Sequence, residues 1–204
     1  MIVIVDYGAC NVGSVLNMGR RAGGEFTISN NPAVIASAEK LILPGVGSFD
    51  NGMRQLNELG IVPALNEAVL RRRVPILGVC LGLQLFTHGS EEGQSPGLGW
   101  IAGRTVKFRI EATQASLKTP HMGWNSVELG KLDPLLKNLP DEPRFYFVHS
   151  YHLVCDDPSD PLLWTTHGYR FISGIRRDNI WGTQFHPEKS HKFGLALMRN
   201  FVAL

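Results

Sequence analysis

The run from Pro75 to Gln84, Pro-Ile-Leu-Gly-Val-Cys-Leu-Gly-Leu-Gln, limits the choice of folds more than any other part of the chain. Its apolar first half predicts a buried strand, and the small residues around Cys80 predict a sharp turn from that strand into a helix. Gly78 and Gly82 stand two residues on either side of Cys80, which is the spacing of a nucleophile elbow. Side chains at these two positions would clash with neighbouring backbone in so tight a turn. We therefore expect Cys80 to stand clear of a sheet at a helix N-terminus, where the helix dipole favours a thiolate.

A second run, Gln184-Phe-His-Pro-Glu188, adds a base and a carboxylate. The segment Asn179–Phe185 is typical of a strand, and Pro187 marks its end because proline has no backbone donor. His186 and Glu188 are two residues apart, so in an extended segment their side chains would point to the same side. A cysteine at a strand end, or a His-Pro-Glu run, is more often structural when it stands alone. Together they favour a Cys80–His186–Glu188 catalyst, in which the carboxylate orients the base and the base takes the thiol proton.

Short apolar strands alternate with helical patterns in the first half of the chain. Strands are expected at Ile2–Val5, Phe26–Ser29, Lys40–Leu43 and Pro75–Val79, and helices at Asn11–Gly23 and, in two pieces, across Gly52–Arg73. This alternation predicts an α/β fold, with a doubly wound, mostly parallel open sheet.

The second half predicts an antiparallel or mixed extension of that sheet, because its strands are short and separated by turn residues. We expect strands at Arg104–Phe108, Phe145–Val148, Leu163–Thr166, Phe171–Ile175 and Ile180–Phe185, and a closing helix at Phe193–Leu204. No repeat, low-complexity tract or linker divides the chain, so residues 1–204 are expected to form one domain.

The candidate functional segments of the first half, Asp6–Asn11, Pro44–Gly47 and Cys80, each follow a predicted strand. Open parallel sheets bind ligands at the carboxyl ends of their strands. Two glycines in Pro44–Gly47 let backbone N–H groups turn toward a ligand, and Leu81 offers another N–H, so these segments fit an oxyanion hole. A plain strand-to-helix turn is the simpler interpretation of Pro44–Gly47 taken alone.

Composition excludes several classes of protein. The chain has 204 residues, of which 44% are hydrophobic, and a net charge of +2. It contains no apolar run long enough for a membrane span and no metal-binding motif. Three widely spaced cysteines favour a reducing compartment, the cytoplasm, over a disulfide framework. The basic cluster Arg71–Arg73 suits a solvated helix end better than a nucleic-acid surface.

These residues resemble a known family. The runs Gly78–Gly82 and Phe185–Glu188 are similar to those of class I, triad-type glutamine amidotransferases, which implies a flavodoxin-like sheet. Within that class the chain resembles the glutaminase subunits of imidazole glycerol phosphate synthase, in order from Ile2 to Phe201. The further blocks that carry this resemblance are Asp6–Asn11, Pro44–Phe49, Pro120–Asn125, Phe147–Tyr151 and His186–Ser190.

The resemblance implies a reaction and a set of site residues. The Cys80 thiolate would attack the side-chain amide of glutamine, N–H groups near Val46 and Leu81 would hold the oxyanion, and His186 would protonate the leaving ammonia. The positions that match substrate-binding residues of the family are Gly47, Gln84, Glu92 and Ser150. No metal or cofactor is implied.

The resemblance also implies a partner, because released ammonia is useful only if it is delivered before it is protonated. In this family the partner is a separate (β/α)8-barrel cyclase, which makes imidazole glycerol phosphate and AICAR in histidine biosynthesis. The positions that match the subunit interface and ammonia path are Asn11, Met122, Trp124, Tyr146 and Lys189. Trp124 could equally be an ordinary core aromatic. The glutaminase of this family is nearly idle alone, so we expect the Pro44–Gly47 backbone to rearrange when the loaded partner binds.

Three alternatives remain open at this point. The ammonia could serve a sugar amidotransferase of surface-polysaccharide synthesis, the chain could be a thiol hydrolase acting alone, or the fold could be a binding module without activity. Cys10 also departs from the family pattern, which has glycine there. A cysteine at that position would be strained if the backbone required a positive φ.

Overall fold

A computed structural model of the chain describes residues 1–110 and 117–204. The first half forms four strands close to the predicted positions: β1 (Ile2–Val5), β2 (Phe26–Ser29), β3 (Lys40–Gly45) and β4 (Ile76–Cys80). The strands of the second half are β5 (Gly103–Lys107), β6 (His121–Ser126), β7 (Glu128–Leu129), β8 (Arg144–His149), β9 (Tyr151–Cys155), β10 (Pro161–His167), β11 (Tyr169–Arg177) and β12 (Ile180–Thr183).

Six α-helices connect or cover these strands in the described part of the chain. They are α1 (Val12–Arg21), α2 (Pro32–Ser37), α3 (Phe49–Glu58), α4 (Val62–Asn66), α5 (Leu81–Gln84) and α6 (His191–Ala203). Helix α4 continues as a π-helical turn over Glu67–Arg71. None of the helices among the described residues is both long and apolar enough to cross a membrane.

The central sheet has parallel strands at one side and antiparallel strands at the other. Strands β2, β1, β3, β4 and β12 follow one another in parallel, and β11, β10 and β7 continue the sheet in antiparallel pairs. The β5–β9 pair joins at β11, and β6 with β8 forms a separate hairpin-like sheet. The predicted α/β fold with a mostly parallel central sheet is confirmed.

The parallel strands are buried on both faces, which explains why they read as continuous apolar runs. In β1, Val3 and Val5 pack into the core on one face, whereas Ile2 and Ile4 pack into the core on the other. Covering both faces with helices leaves the carboxyl ends of the strands as the open edge of this part of the sheet. That edge carries the ends of β3, β4 and β12 side by side.

Helix α2 and strands β6, β7 and β9 do not follow from the sequence patterns above. The sequence at the start of α2 did contain a helix signal, Asn31 followed by Pro32 in the first turn. In the structure the Asn31 side chain accepts a hydrogen bond from the Ala33 N–H. Strand β6 carries little signal, since half of its residues are polar and Gly123, in its middle, has a φ of 122°. Pairing with β8, rather than local propensity, makes β6 a strand.

Candidate active site

Cys80 ends β4 in a conformation that few residues adopt, with φ 53° and ψ −110°, and α5 begins at the next residue. A Cβ built on Gly82 would overlap the carbonyl oxygen of Leu43, and one built on Gly78 would lie 2.5 Å from the Phe86 ring. Both glycines are therefore required by close approach. The strained turn fixes Cys80 between strand and helix.

His186 lies beside Cys80 because β12 runs parallel to β4 and delivers the following residues to the same edge. Its Nδ1 is 2.7 Å from Oε1 of Glu188, so the proton on Nδ1 faces the carboxylate. Two further hydrogen bonds hold the backbone of His186: its N–H donates to the Tyr146 carbonyl, and its carbonyl accepts from the Ser190 hydroxyl. These bonds fix the tautomer and leave Nε2 for another partner.

The geometry that joins His186 to Glu188 differs from the expected extended segment. His186 is extended, with φ −100° and ψ 98°, but Pro187–Lys189 forms a 3₁₀ turn. The turn, rather than strand alternation, folds the carboxylate back onto the imidazole. Among the described residues, Nε2 of His186 and Oε2 of Glu188 are buried without a hydrogen-bond partner.

The surroundings of His186 favour its charged form. Burial opposes the imidazolium, but its interactions with Cys80 and Glu188 outweigh burial and raise the pKa of His186 to about 9. The imidazolium therefore lies between a sulfur and a carboxylate that both favour it. An acid with this environment can protonate a leaving group.

A cleft of about 320 Å³ opens over Cys80 and His186. The other sequence-predicted residues that line it are Val46, Gly47, Leu81, Gln84, Glu92 and Ser150. Glu188 lies behind His186, outside the lining. The cleft is thus the place where most of the predicted side chains and amides meet, although they come from five separate stretches of sequence.

The two predicted oxyanion donors are not free in this conformation. The Val46 N–H donates to the Ala9 carbonyl at 2.7 Å. In the β3–β4 ladder the Leu41 N–H donates to Pro75, and Gly45 lies opposite Cys80, so the alternation of a parallel ladder directs the Gly45 carbonyl at the Leu81 amide. Both pairings therefore involve the single peptide group Gly45–Val46: its N–H donates to Ala9, and its carbonyl faces the Leu81 amide.

Two glutamines beneath the cleft connect Cys80 to its surroundings. The Gln84 amide N–H donates to the Tyr151 carbonyl at 3.2 Å and to Oε1 of Gln184 at 3.1 Å. The Gln184 amide nitrogen in turn lies 3.7 Å from the Cys80 sulfur and donates to it. Gln184 was missed by the sequence reasoning, because its position at a strand end next to Phe185 carries no sign of a contact with the nucleophile.

Glu92 lines the cleft while it also serves the fold. Its Oε2 accepts a hydrogen bond from the Phe49 N–H at 2.8 Å, at the start of α3. The helix dipole favours a carboxylate at this N-terminus, so the contact positions the Glu92 side chain beside the cleft. Its second oxygen is available to a cationic group of a substrate.

A chain of hydrogen bonds, all with the same donor-to-acceptor direction, ends at the wall of the cleft, which His149 and Tyr151 help to line. Its members were not predicted as site residues. Nδ1 of His149 lies 2.7 Å from the Tyr151 carbonyl, so that nitrogen carries the proton. Nε2 of His149 then accepts from Nδ1 of His121 at 3.0 Å, and Nε2 of His121 accepts from Asn125 at 3.1 Å. Burial lowers the pKa of His121 to about 4 and that of His149 well below its ordinary value, so both rings are neutral.

Four of the five predicted partner positions form one surface beside His186. Met122 and Trp124 are 62% and 46% exposed, which excludes the interpretation of Trp124 as a core aromatic. Tyr146 packs edge-on to Trp124 with ring centres 6.4 Å apart, and the Lys189 ammonium lies 5.8 Å from the Tyr146 ring centre. His191, which was not predicted, stacks on Trp124 at 5.5 Å. We call Met122, Trp124, Tyr146, Lys189 and His191 the hairpin surface.

Asn11, the fifth predicted partner position, has a structural role. It precedes α1 and its side chain accepts a hydrogen bond from the Ser14 N–H at 3.3 Å. The neighbouring Cys10 does not have a positive φ, so cysteine in place of the family's glycine brings no strain of that kind. Burial raises the pKa of the Cys10 thiol to about 11, and that of Cys155 to about 12, so neither is a reactive thiolate.

Within the described ranges, no group of three or more His, Cys, Asp or Glu side chains is arranged to hold a metal ion.

A family model for class-I glutamine amidotransferases matches residues 3–204. The fold agrees: the solved structure of a protein described as a GMP synthase subunit, from Thermoplasma acidophilum, superposes with a TM-score of 0.71 at 20% identity, covering 99% of this chain and 92% of that one. PurLQS of Thermotoga maritima gives a TM-score of 0.73 at 15% identity, with 99% and 97% covered. The chain belongs to the class-I glutamine amidotransferases.

Curated relatives narrow this assignment. The imidazole glycerol phosphate synthase subunit HisH 2 of Methanococcus maripaludis is 50% identical over 99% of this chain and 98% of its own length. The subunit HisH 2 of Pseudomonas aeruginosa is 50% identical, and the subunit HisH of Leptospira borgpetersenii 45% identical, each over 100% of both chains. Within the class, the chain is a member of the HisH family of imidazole glycerol phosphate synthase subunits.

Proposed function

We propose that this chain hydrolyses glutamine to glutamate and ammonia with Cys80, His186 and Glu188, and passes the ammonia to the synthase subunit that makes imidazole glycerol phosphate and AICAR. The observation that carries the proposal is the position of His186, which is buried, lines the same cleft as Cys80 and lies 2.7 Å from the Glu188 carboxylate. The relatives named above are all called subunits of imidazole glycerol phosphate synthase, and nothing favours the sugar amidation alternative.

The chemistry follows from the charges of this group. The Cys80 thiolate attacks the amide carbon, and the charge moves to the amide oxygen. The His186 imidazolium gives its proton to the nitrogen as the carbon–nitrogen bond breaks, so that neutral ammonia leaves and a thioester remains. Neutral His186 then takes a proton from water, the hydroxide attacks the thioester, and the sulfur leaves as thiolate with release of glutamate.

The substrate would lie along the cleft with its charged end away from the sulfur. Glu92 supplies a negative charge for the α-ammonium group, and its bond to Phe49 holds that charge in place. Gln84 has both amide hydrogens near protein acceptors, so its carbonyl oxygen is the atom left for the substrate. Gly47 and Ser150 line the same cleft and complete the proposed substrate contacts.

The conformation described here is the idle one. Both proposed oxyanion donors, the N–H groups of Val46 and Leu81, face carbonyl groups of the protein. Rotation of the single peptide Gly45–Val46 would turn the Val46 N–H into the cleft and remove the Gly45 carbonyl from Leu81. Losing one oxyanion donor costs a factor of roughly 10² to 10³ in rate, so the chain by itself should be a poor glutaminase.

The hairpin surface is the proposed binding site for the synthase partner, which in this family is a (β/α)8 barrel. Exposed apolar and aromatic side chains beside a cation are typical of protein interfaces. A hydrolase that acted alone would leave the exposure of Met122 and Trp124 unexplained.

Three free cysteines, one of them the proposed nucleophile, suit a reducing compartment such as the cytoplasm.

The test is glutamine hydrolysis by the chain alone, then with the cognate barrel cyclase, then with the cyclase and its nucleotide ligand. We expect strong stimulation only in the loaded complex, and none with Cys80→Ala. Labelling with a glutamine-analogue thiol reagent reports whether Cys80 is reactive in each state. Full activity of the chain alone would contradict the idle conformation, and an active Cys80→Ala protein would contradict the nucleophile assignment.

A further inference from the structure

Tyr7 is a buried hydroxyl group that the mechanism above does not use. Its side chain is 0% exposed, and among the described residues its oxygen has no hydrogen-bond partner. An unpaired buried hydroxyl costs about 1–3 kcal/mol relative to a paired one. Such a group is rare in folded proteins and calls for an explanation in another state of the molecule.

The hydroxyl lies against the backbone of the oxyanion loop. A Cβ built on Gly45 would overlap the Tyr7 oxygen and would lie 2.8 Å from the Gly82 nitrogen, so Tyr7 occupies the space behind Gly45. Tyr7 does not line the cleft. It therefore cannot touch a substrate there and can act only through the backbone of the loop.

The Gly45 carbonyl needs a new donor when the loop changes state. In the idle conformation this carbonyl is directed at the Leu81 amide. After the Gly45–Val46 peptide rotates, it points to the opposite side, where the Val46 N–H had been paired with the carbonyl of Ala9. A carbonyl left there without a donor would be a buried unpaired acceptor next to another carbonyl.

We propose that Tyr7 is a positioning residue whose hydroxyl donates to the Gly45 carbonyl in the rotated, active loop and so stabilises the assembled oxyanion hole. The proposal rests on the proposed function. Burial, with the charges of Cys10 and Cys80, holds the pKa of Tyr7 well above its ordinary value, so the hydroxyl keeps the proton it needs as a donor. One unpaired donor in the idle state and one new acceptor in the active state bias the loop toward activity.

The matching experiment is Tyr7→Phe, measured in the complex with the barrel cyclase and its nucleotide ligand. The stimulated kcat should fall by up to about fivefold, as expected for one hydrogen bond that favours the active loop. The unstimulated kcat, which comes from the idle loop with its missing oxyanion donor, and KM for glutamine should stay the same, so the stimulation ratio falls. The thermal midpoint of the isolated chain should stay equal or rise, because the idle state loses an unpaired hydroxyl and no bond.

Tyr169→Phe is the matched control, because its hydroxyl is paired, 2.8 Å from Nε2 of His152. That variant should lower the thermal midpoint and leave the stimulation ratio unchanged. Equal stimulation of wild type and Tyr7→Phe, or a lower midpoint for Tyr7→Phe, would overturn the inference while the proposed function stands. A wild-type complex without glutaminase activity would remove the proposed function, and this inference with it.

Discussion

The two walls of the cleft differ in whether their proposed functional groups are already arranged for the reaction. On one wall, Cys80, His186 and Glu188 are assembled and held by an elbow, a 3₁₀ turn and backbone bonds. On the other, the Val46 N–H is paired with Ala9. A buried N–H must be paired somewhere, so a loop with two possible acceptors, one in the protein and one on the substrate, has two stable states. The His186–Glu188 pair, which is held by its own hydrogen bond, has only one.

The difference between the two walls indicates where control of the reaction can act. Changes on the triad wall should reduce the rate of the isolated chain and of the loaded complex alike. Changes that bear on the Gly45–Val46 peptide should act on the difference between those two rates. The Tyr7→Phe experiment tests the second statement, and two of the following changes, at His186 and Glu188, test the first. The third change tests whether the turn that fixes Cys80 on the triad wall is strained.

His186→Ala should have the largest effect of the three. Removing the base of a triad costs a factor of about 10⁶ in kcat in a serine protease, and we expect a loss approaching that order here, because one group both donates and accepts the proton. The loss should be the same in the isolated chain and the complex, as measured by glutamate release. A variant that is inactive alone but regains activity in the complex would contradict the expectation that changes on the triad wall reduce both rates alike.

Glu188→Gln should cost less, on the order of 10⁴ in kcat, because the base remains and only its orientation and charge support are lost. It should also change the pH profile. The imidazolium of the wild type is lost as the pH rises through about 9, and Glu188 is one of the groups that raises this pKa. The alkaline limb of kcat against pH should therefore move to lower pH in the variant; an unmoved limb would assign it to another group.

Cys80→Gly compared with Cys80→Ala should show the smallest effect, on stability alone. Cys80 has φ 53° and ψ −110°, a conformation that only glycine adopts without strain of about 1–3 kcal/mol. Against this, glycine loses about 0.5–1 kcal/mol through its freedom in the unfolded chain. The glycine variant should be the more stable by about 1 kcal/mol in urea unfolding, and a less stable glycine variant would show that the elbow is not strained.

Local patterns were sufficient for the parts of the fold in which neighbours along the chain decide the outcome. The elbow around Cys80 follows from Gly78 and Gly82, and the parallel strands follow from short apolar runs that end in turns. Strand β6 did not follow, because its mixed sequence, with Gly123 in the middle, becomes a strand only through pairing with β8. The approach of Glu188 to His186 was expected, but the turn that achieves it was not.

Long-range contacts decided the rest of the site. Nothing in the local sequence of Val46 indicates that its N–H will be donated to Ala9, since the two meet only when β1 and β3 lie side by side. The same holds for Gln184 at the Cys80 sulfur and for the ordered line from Asn125 through His121 and His149. Each needs two elements that are far apart in the chain to be brought into register.

The sequence by itself determined the class of fold and predicted the nucleophile, the base and the carboxylate, because glycine spacing and apolar periodicity act over a few residues. Only the tertiary structure decided which state the site is in. The pairing of the Val46 N–H with Ala9, the neutral histidines beside the cleft and the unpaired hydroxyl of Tyr7 all depend on which donors and acceptors the packed sheet brings within hydrogen-bonding distance. Those pairings cost or release free energy only once water has been excluded from them.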